Sequence, residues 1–119
     1  MKIHFFKYQG AGNDFILIDN RTLWFDGADD SLIRFLCDRR FGVGADGLML
    51  LEHDPAYDFR MRYFNSDGHE ASMCGNGGRC MAAFARKLHI IQDQTRFMAV
   101  DGSHEAILGS DGQVTLRMR

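Results

Sequence analysis

The chain is organised around residues 73–88, which read MCGNGGRCMAAFARKL. Residues 81–85 are apolar on nearly every side, and a helix of that kind is usually enclosed by other elements. The pattern therefore predicts a buried helix that begins just after Cys74. A helix N-terminus carries partial positive charge and N–H donors without acceptors inside the helix, so it lowers the pKa of a nearby thiol and binds carboxylates. We interpret Cys74 as a reactive thiolate beside an anion-binding site, rather than as an inert buried cysteine.

Composition limits the classes of protein to which the chain can belong. Its 119 residues suit one domain, with 45% hydrophobic and 25% charged residues. A net charge of −2, with no Lys/Arg run longer than two residues, argues against a nucleic-acid surface. No apolar run is long enough to cross a membrane. Three cysteines and an N-terminus too polar for a signal peptide lead us to expect free thiols in the reducing cytoplasm.

The spacing of apolar and turn-forming residues predicts an α+β fold. A helix is expected from Asp29–Ser31 to Arg39–Arg40, because capping residue types precede apolar residues at helical spacing. Residues 14–19 form a continuous apolar run, which indicates a strand covered on both faces. Further strands are predicted at residues 3–8, 48–51, 57–65, 95–100, 104–108 and 113–118. Together they predict a strongly bent antiparallel sheet wrapped around the second helix.

Two other motifs have structural explanations that we prefer. Residues 42–47 match Gly-x-Gly-x-x-Gly, but they follow a helix and open a strand, so they do not fit a dinucleotide site. Cys80 lies six residues beyond Cys74, about 9 Å and about 240° along one helix, so the two thiols point apart. Cys80 and Cys37 are therefore interpreted as small core residues. The five histidines are scattered and no Cys-x-x-Cys occurs, which argues against a metal site.

Asn13 and Asn65 lie in glycine-rich turns. Turn formation alone accounts for many asparagines at such positions. The alternative is that their amides form hydrogen bonds with a zwitterionic ligand. Sequence spacing leaves both interpretations open.

Three ordered motifs carry a family resemblance. They are residues 6–15 (FKYQGAGNDF), residues 38–46 (DRRFGVGAD) and residues 65–80 (NSDGHEASMCGNGGRC). Together they resemble the amino-terminal half of the diaminopimelate epimerases. The resemblance implies one half of a pseudo-symmetric two-domain fold, in which each half has antiparallel strands around a central helix and supplies one cysteine.

The resemblance also implies roles for individual residues. Cys74 would be one of two acid/base thiols, Asn13 and Asn65 would bind the substrate, and Gly75 and Asn76 would hold its α-carboxylate. Enzymes of this family need no pyridoxal phosphate and no metal, so no cofactor is expected. They act as cytoplasmic homodimers that convert LL- to meso-2,6-diaminopimelate, in lysine and peptidoglycan precursor biosynthesis.

The chain departs from the family pattern in two respects. Gly47 stands where many members have a glutamine that contacts the substrate. The second half, with its own cysteine, is missing, and the last predicted strand runs to the end of the chain. We therefore expect residues 1–119 to be a single domain, the amino-terminal catalytic half of an epimerase whose carboxy-terminal half is absent, and to be inactive alone.

Three alternatives remain open at this point. One is another cofactor-independent amino-acid racemase of the same superfamily. Another is an inactive fragment that only folds and associates. The third is a thiol hydrolase or transferase, which would need a histidine beside Cys74; His69 and His104 are the candidates.

Overall fold

The computed structural model describes residues 2–72 and 75–118. Within them lie two helices and eight strands. In chain order these are β1 (Phe6–Gly10), β2 (Asn13–Asp19), α1 (Asp30–Cys37), β3 (Gly47–Glu52), β4 (Phe59–Asn65), β5 (Glu70–Ala71), α2 (Gly75–Lys87), β6 (Gln94–Ala99), β7 (Gly102–Leu108) and β8 (Val114–Met118). The predicted α+β class is confirmed.

All the described strands belong to one sheet, in the order β1-β2-β3-β4-β6-β7-β8, with β5 paired to β4. The expected antiparallel arrangement holds for five of the seven strand pairs, but β2–β3 and β4–β6 are parallel. The physical reason is that α1 lies between β2 and β3, and α2 lies between β4 and β6. Each helix carries the chain back along the sheet, as a parallel connection requires.

The sheet curls around α2, as predicted. The two strands at the ends of the sheet path, β1 and β8, both contact this helix. Seven of its residues are buried, including Met81, Phe84 and Ala85, which have no exposed surface. The Phe84 ring meets the rings of Phe6 and Tyr8 at centroid distances of 5.1 and 5.8 Å. Packing against the sheet therefore buries most of α2 in the interior of the domain.

β2 separates two hydrophobic clusters, because both of its faces are buried. Phe15 and Leu17 face the cluster around α2, whereas Ile16 and Ile18 face a second cluster that includes Ile33 of α1. The prediction of a strand covered on both faces is confirmed.

The first helix is shorter than predicted. Its N-cap is Asp29, whose carboxylate accepts a hydrogen bond from the backbone N–H of Leu32 at 3.1 Å. It ends at Cys37 rather than at Arg39–Arg40, because Asp38 is extended and its carboxylate accepts hydrogen bonds from the backbone of the next turn. Residues 42–47 then open β3, which agrees with the structural interpretation of the glycine motif.

An ion cluster around Asp14 joins β1, β2 and the segment after α1. The Asp14 carboxylate accepts two hydrogen bonds from the Arg39 guanidinium, at 2.8 and 3.0 Å, and one from Lys7 Nζ at 3.1 Å. The Arg39 hydrogen bonds hold the pKa of Asp14 well below its usual range, and Lys7 adds to this effect. The cluster therefore favours the folded state while Asp14 is ionised.

This cluster predicts acid-dependent stability. Because the pKa of Asp14 is lower in the folded than in the unfolded state, its stabilisation is present above about pH 4 and is lost as the pH falls below that value. Asp14→Asn should lower the free energy of unfolding at pH 7 by about 1–2 kcal/mol, since Arg39 is partly exposed and screened. The difference from the unsubstituted chain should shrink towards pH 2.5. Urea unfolding followed by circular dichroism from pH 2.5 to pH 7 measures both effects.

Arg39→Met is the companion variant. It removes the main cause of the lowered pKa, so it should weaken the same pH dependence while leaving the carboxylate in place. A stability difference between Asp14→Asn and the unsubstituted chain that stays constant across the pH range would contradict this account.

Candidate active site

The N-terminus of α2 meets the β1–β2 hairpin. Asn76, in the first turn of the helix, donates through Nδ2 to Oδ1 of Asn13 at 2.9 Å. Gly10 lets the hairpin come this close: a β-carbon at position 10 would lie 3.1 Å from the Cys80 sulfur and 3.6 Å from the Asn76 carbonyl oxygen. The structure therefore brings Asn13, Gly75 and Asn76 to one place.

Asn65 lies at the same end of the sheet. It is the last residue of β4, it pairs with Gly47 at the start of β3, and it is exposed. Strand alternation places it on the face of Met61, which packs in the cluster around α2. Asn13 begins the strand on the other side of β3, so two strand spacings, about 10 Å, separate the two asparagines across the sheet. All four described residues of the predicted substrate site thus lie at one edge of the sheet, and three of them, Asn13, Gly75 and Asn76, lie together at the helix N-terminus.

Cys74, the predicted catalytic residue, lies outside the described residues, so its role stays a prediction. The helix does begin directly after it, at Gly75, as predicted. The first turn of α2 carries no acidic residue, so no carboxylate within that turn offsets the positive end of the helix.

Cys37 and Cys80 are buried, with 3% and 5% of their surface exposed. Burial raises the pKa of the Cys37 thiol to about 11, and the nearby Asp14 carboxylate contributes to the increase. The prediction that both are core residues is confirmed. A thiol that is buried and protonated at neutral pH is a poor base, which agrees with the interpretation of Cys37 as a core residue.

Gly47 allows Tyr63 to approach the edge of the sheet. A β-carbon at position 47 would lie 2.9 Å from the Tyr63 hydroxyl and 2.8 Å from the Phe64 carbonyl oxygen. The phenol therefore lies over the backbone of β3, near the end where Asn65 is found. The sequence analysis gave Tyr63 no role beyond its place in the strand predicted at residues 57–65, because the contact depends on the pairing of β3 with β4.

Asp46 is the second residue whose role the sequence did not reveal. Its carboxylate accepts hydrogen bonds from Asn13 Nδ2 at 3.2 Å, from the backbone N–H of Asp14 at 3.0 Å and from Arg39 Nη2 at 3.1 Å. The residue is part of the second sequence motif, but its partners are 32 and 33 positions away in the strand beside it. Only the parallel pairing of β2 with β3 shows that they meet.

The two candidate histidines for a thiol hydrolase differ in position. The His69 carbonyl oxygen accepts a hydrogen bond from the backbone N–H of Asn65 at 3.0 Å, so its backbone lies at this edge, whereas His104 lies far from it. The side chain of His69 is 71% exposed and faces Asp30 and Asp67, at 3.9 and 3.7 Å. His104 is buried, with its Nε2 2.8 Å from Asp101, and it pairs with Phe97. Phe97 is paired with the first residue of β4, about 20 Å along that strand from Asn65. The position of His104 therefore argues against it as the histidine of a cysteine–histidine hydrolase, and the ring of His69 is directed to Asp30 and Asp67.

A cavity of about 410 Å³ lies elsewhere. It opens over β6 and β7 and is lined by Arg96 and Glu105 among others. It contains no cysteine and none of the predicted site residues. Neither α1 nor α2, the helices of the described chain, has the length and apolar character needed to cross a membrane.

Comparison of the chain with known proteins identifies its relatives. The chain is 56% identical over 114 residues to the diaminopimelate epimerase of Flavobacterium psychrophilum, and 47% identical over 123 residues to that of a Cyanothece strain. These alignments cover 96% and 99% of this chain. The chain spans about 44% of the length of each of the two relatives.

Solved structures support the fold. A phenazine biosynthesis protein of the PhzF family from Bacillus anthracis superposes with a TM-score of 0.69 at 20% identity, over 98% of this chain and 40% of the other. At this identity the likeness concerns architecture alone. A sequence model described as diaminopimelate epimerase matches residues 5–118. The chain therefore belongs to the diaminopimelate epimerase family.

Proposed function

We propose that this chain forms the amino-terminal half of the active site of a cofactor-independent diaminopimelate epimerase, which converts LL- to meso-2,6-diaminopimelate. One observation carries the proposal: Asn13 and Asn76 are hydrogen-bonded at the N-terminus of an enclosed helix that begins directly after Cys74. The helix end, the two amides and the cysteine form a set suited to an amino acid held by its carboxylate.

Binding comes first in this mechanism. The α-carboxylate of the substrate lies against Gly75 and Asn76, where backbone N–H groups and the helix dipole favour an anion. Asn13 and Asn65 form hydrogen bonds with the same amino-acid end. The α-carbon is thereby held beside Cys74.

Inversion then requires two groups on opposite faces of that carbon. Cys74 removes or returns the proton on one face, since a thiol near a helix N-terminus has a pKa suited to proton transfer near neutral pH. Donors aimed at the carboxylate stabilise the carbanion that develops. The second thiol comes from outside residues 1–119, because the other two cysteines, Cys37 and Cys80, are buried in the core. In this proposal the enzyme works as a cytoplasmic homodimer in lysine and peptidoglycan precursor synthesis, without pyridoxal phosphate or metal.

The thiol assignment predicts unequal alkylation. With iodoacetamide at pH 7.5, Cys74 should react at least ~10-fold faster than Cys37 and Cys80, because it is the thiol expected to be ionised and accessible. Quenched samples analysed by peptide mass spectrometry give the three rates. Cys74→Ala should remove the fast phase, and 8 M urea should bring the rates together. Equal alkylation rates for the three cysteines in the folded chain would contradict a Cys74 thiol that is more ionised and accessible than the others.

The two-thiol mechanism predicts that the isolated chain does not epimerise its substrate. In D₂O the chain should bind LL-diaminopimelate weakly and leave its α-proton signals unchanged by NMR. A fusion to the carboxy-terminal part of the Flavobacterium psychrophilum relative should exchange the α-proton and produce the meso isomer. The same fusion with Cys74→Ser should lose at least ~10²-fold in rate.

Two outcomes would count against this mechanism. Rapid exchange with inversion by the isolated chain would show that a second half is unnecessary. A fusion that folds and binds diaminopimelate, but never exchanges the α-proton, would show that this is not an epimerase site.

A further inference from the structure

We propose that Asp46 is a positioning residue, whose carboxylate sets the amide orientation of Asn13 and, through Asn13, that of Asn76. The hydrogen-bond geometry is independent of the proposed function, whereas the benefit to substrate binding rests on it. It concerns which hydrogen-bonding atoms the edge of the sheet presents to a ligand.

The position of Asp46 is fixed from two sides. Its backbone N–H donates to the Asp14 carbonyl oxygen at 2.9 Å and to the Asp14 carboxylate at 3.1 Å, while its Oδ2 accepts from the Asp14 backbone N–H at 3.0 Å. Arg39 Nη2 holds the other carboxylate oxygen at 3.1 Å. These bonds leave Oδ2 aimed at the side chain of Asn13, whose Nδ2 lies at 3.2 Å.

Charge then determines the direction of each hydrogen bond. An aspartate carboxylate at neutral pH only accepts hydrogen bonds, so Asn13 must turn its NH₂ group towards Asp46. The carbonyl oxygen of Asn13 is then turned towards Asn76. That oxygen also only accepts, so Asn76 must point its own NH₂ group at Asn13, as the 2.9 Å bond requires. The Asn76 carbonyl oxygen is thereby turned away from Asn13.

Without the carboxylate, the orientations of the two asparagine amides would no longer be fixed. The oxygen and nitrogen of an amide have nearly the same size, and both orientations of Asn13 would find a partner if position 46 could donate as well as accept. The negative charge of Asp46 removes that ambiguity for both asparagines.

The fixed orientation suits a zwitterionic ligand. Each asparagine keeps one amide N–H that can reach a carboxylate, and Asn76 keeps a carbonyl oxygen that can accept from an ammonium group. In the reversed orientation, the Asn76 carbonyl oxygen would accept from Asn13 and would be turned away from an ammonium group. Asp46 therefore prepares the site without contacting the substrate itself.

The direct test is the side-chain NH₂ spectrum of the ¹⁵N-labelled chain without any ligand. Asp46→Asn is nearly isosteric and should shift or split the NH₂ signals of both Asn13 and Asn76. Asp14→Asn is the matched control. It removes the neighbouring negative charge of the same ion cluster but keeps a side-chain oxygen for the Asp46 N–H and the bond from Asn13 to Asp46, so both asparagine signals should move far less than in Asp46→Asn. Urea midpoints of the two variants show whether either effect reflects lost stability.

A double variant tests the relay even if Asp46→Asn folds poorly. Asn13→Asp combined with Asp46→Asn exchanges the carboxylate and the amide. The new carboxylate at position 13 still only accepts, so the Asn76 NH₂ signals should return close to their original positions. Asn76 signals that stay shifted in the double variant would overturn the relay, and so would unchanged asparagine signals in Asp46→Asn.

Substrate binding separates this inference from the proposed function. Titration with LL-diaminopimelate, followed by NMR, should give a dissociation constant about tenfold weaker for Asp46→Asn than for Asp14→Asn. If no form of the chain binds diaminopimelate while Asp46→Asn still moves both asparagine signals, the proposed function fails and the positioning role stands. If the chain binds equally well with and without Asp46, the benefit to the substrate is refuted.

Discussion

The enclosure of α2 by the sheet is the constraint on which the candidate site depends. Hydrophobic burial is not directional, so it places the helix inside the domain without fixing where its first turn lies. Polar contacts at one end of the helix fix the position of its first turn. The bond between Asn76 and Asn13, together with the close contact that Gly10 permits, holds the helix N-terminus against the β1–β2 hairpin. Burial and a few directed contacts thus act together.

Strand direction explains why the site residues share an edge. β2 and β3 are parallel, so both begin at this edge, and β4 is antiparallel to β3, so it ends there. Asn13, Gly47 and Asn65 therefore lie at the same edge although 52 positions separate the first from the last. An entirely antiparallel sheet, as the sequence alone suggested, would have turned β2 and β3 in opposite directions and separated Asn13 from Asp46. The parallel pair that the sequence did not reveal is thus the one that assembles the site.

Local signals in the sequence were sufficient for most of the fold. Alternating and continuous apolar runs located the strands, and the alanine-rich segment after Cys74 identified the enclosed helix. Both predictions worked because buried positions are occupied by apolar residues at a regular spacing. The contacts of Asp46 and Tyr63 have no comparable pattern in the sequence. Both depend on the alignment of neighbouring strands, and an aspartate or a tyrosine is equally common in unrelated settings. The family resemblance indicated Asn13, Asn65, Gly75 and Asn76, and the structure adds that they share one edge with the helix start.

The contacts that orient Asn13 and Asn76 bear on how the tasks of an epimerase active site could be divided between two halves. The bonds that orient Asn13 and Asn76 all lie within this chain, and they connect residues of β2, α2 and the segment before β3. The chain therefore has the means to orient the groups that we propose to bind the substrate carboxylate as it folds, before any second half is present. Groups oriented in advance do not have to be ordered when the substrate arrives, which reduces the entropy lost on binding and on reaching the transition state. In the proposed mechanism, a second half then has two things to supply: a base on the opposite face of the α-carbon and a surface that excludes water. A division of this kind separates recognition of the amino-acid end, fixed inside one domain, from completion of the acid/base pair, which requires both.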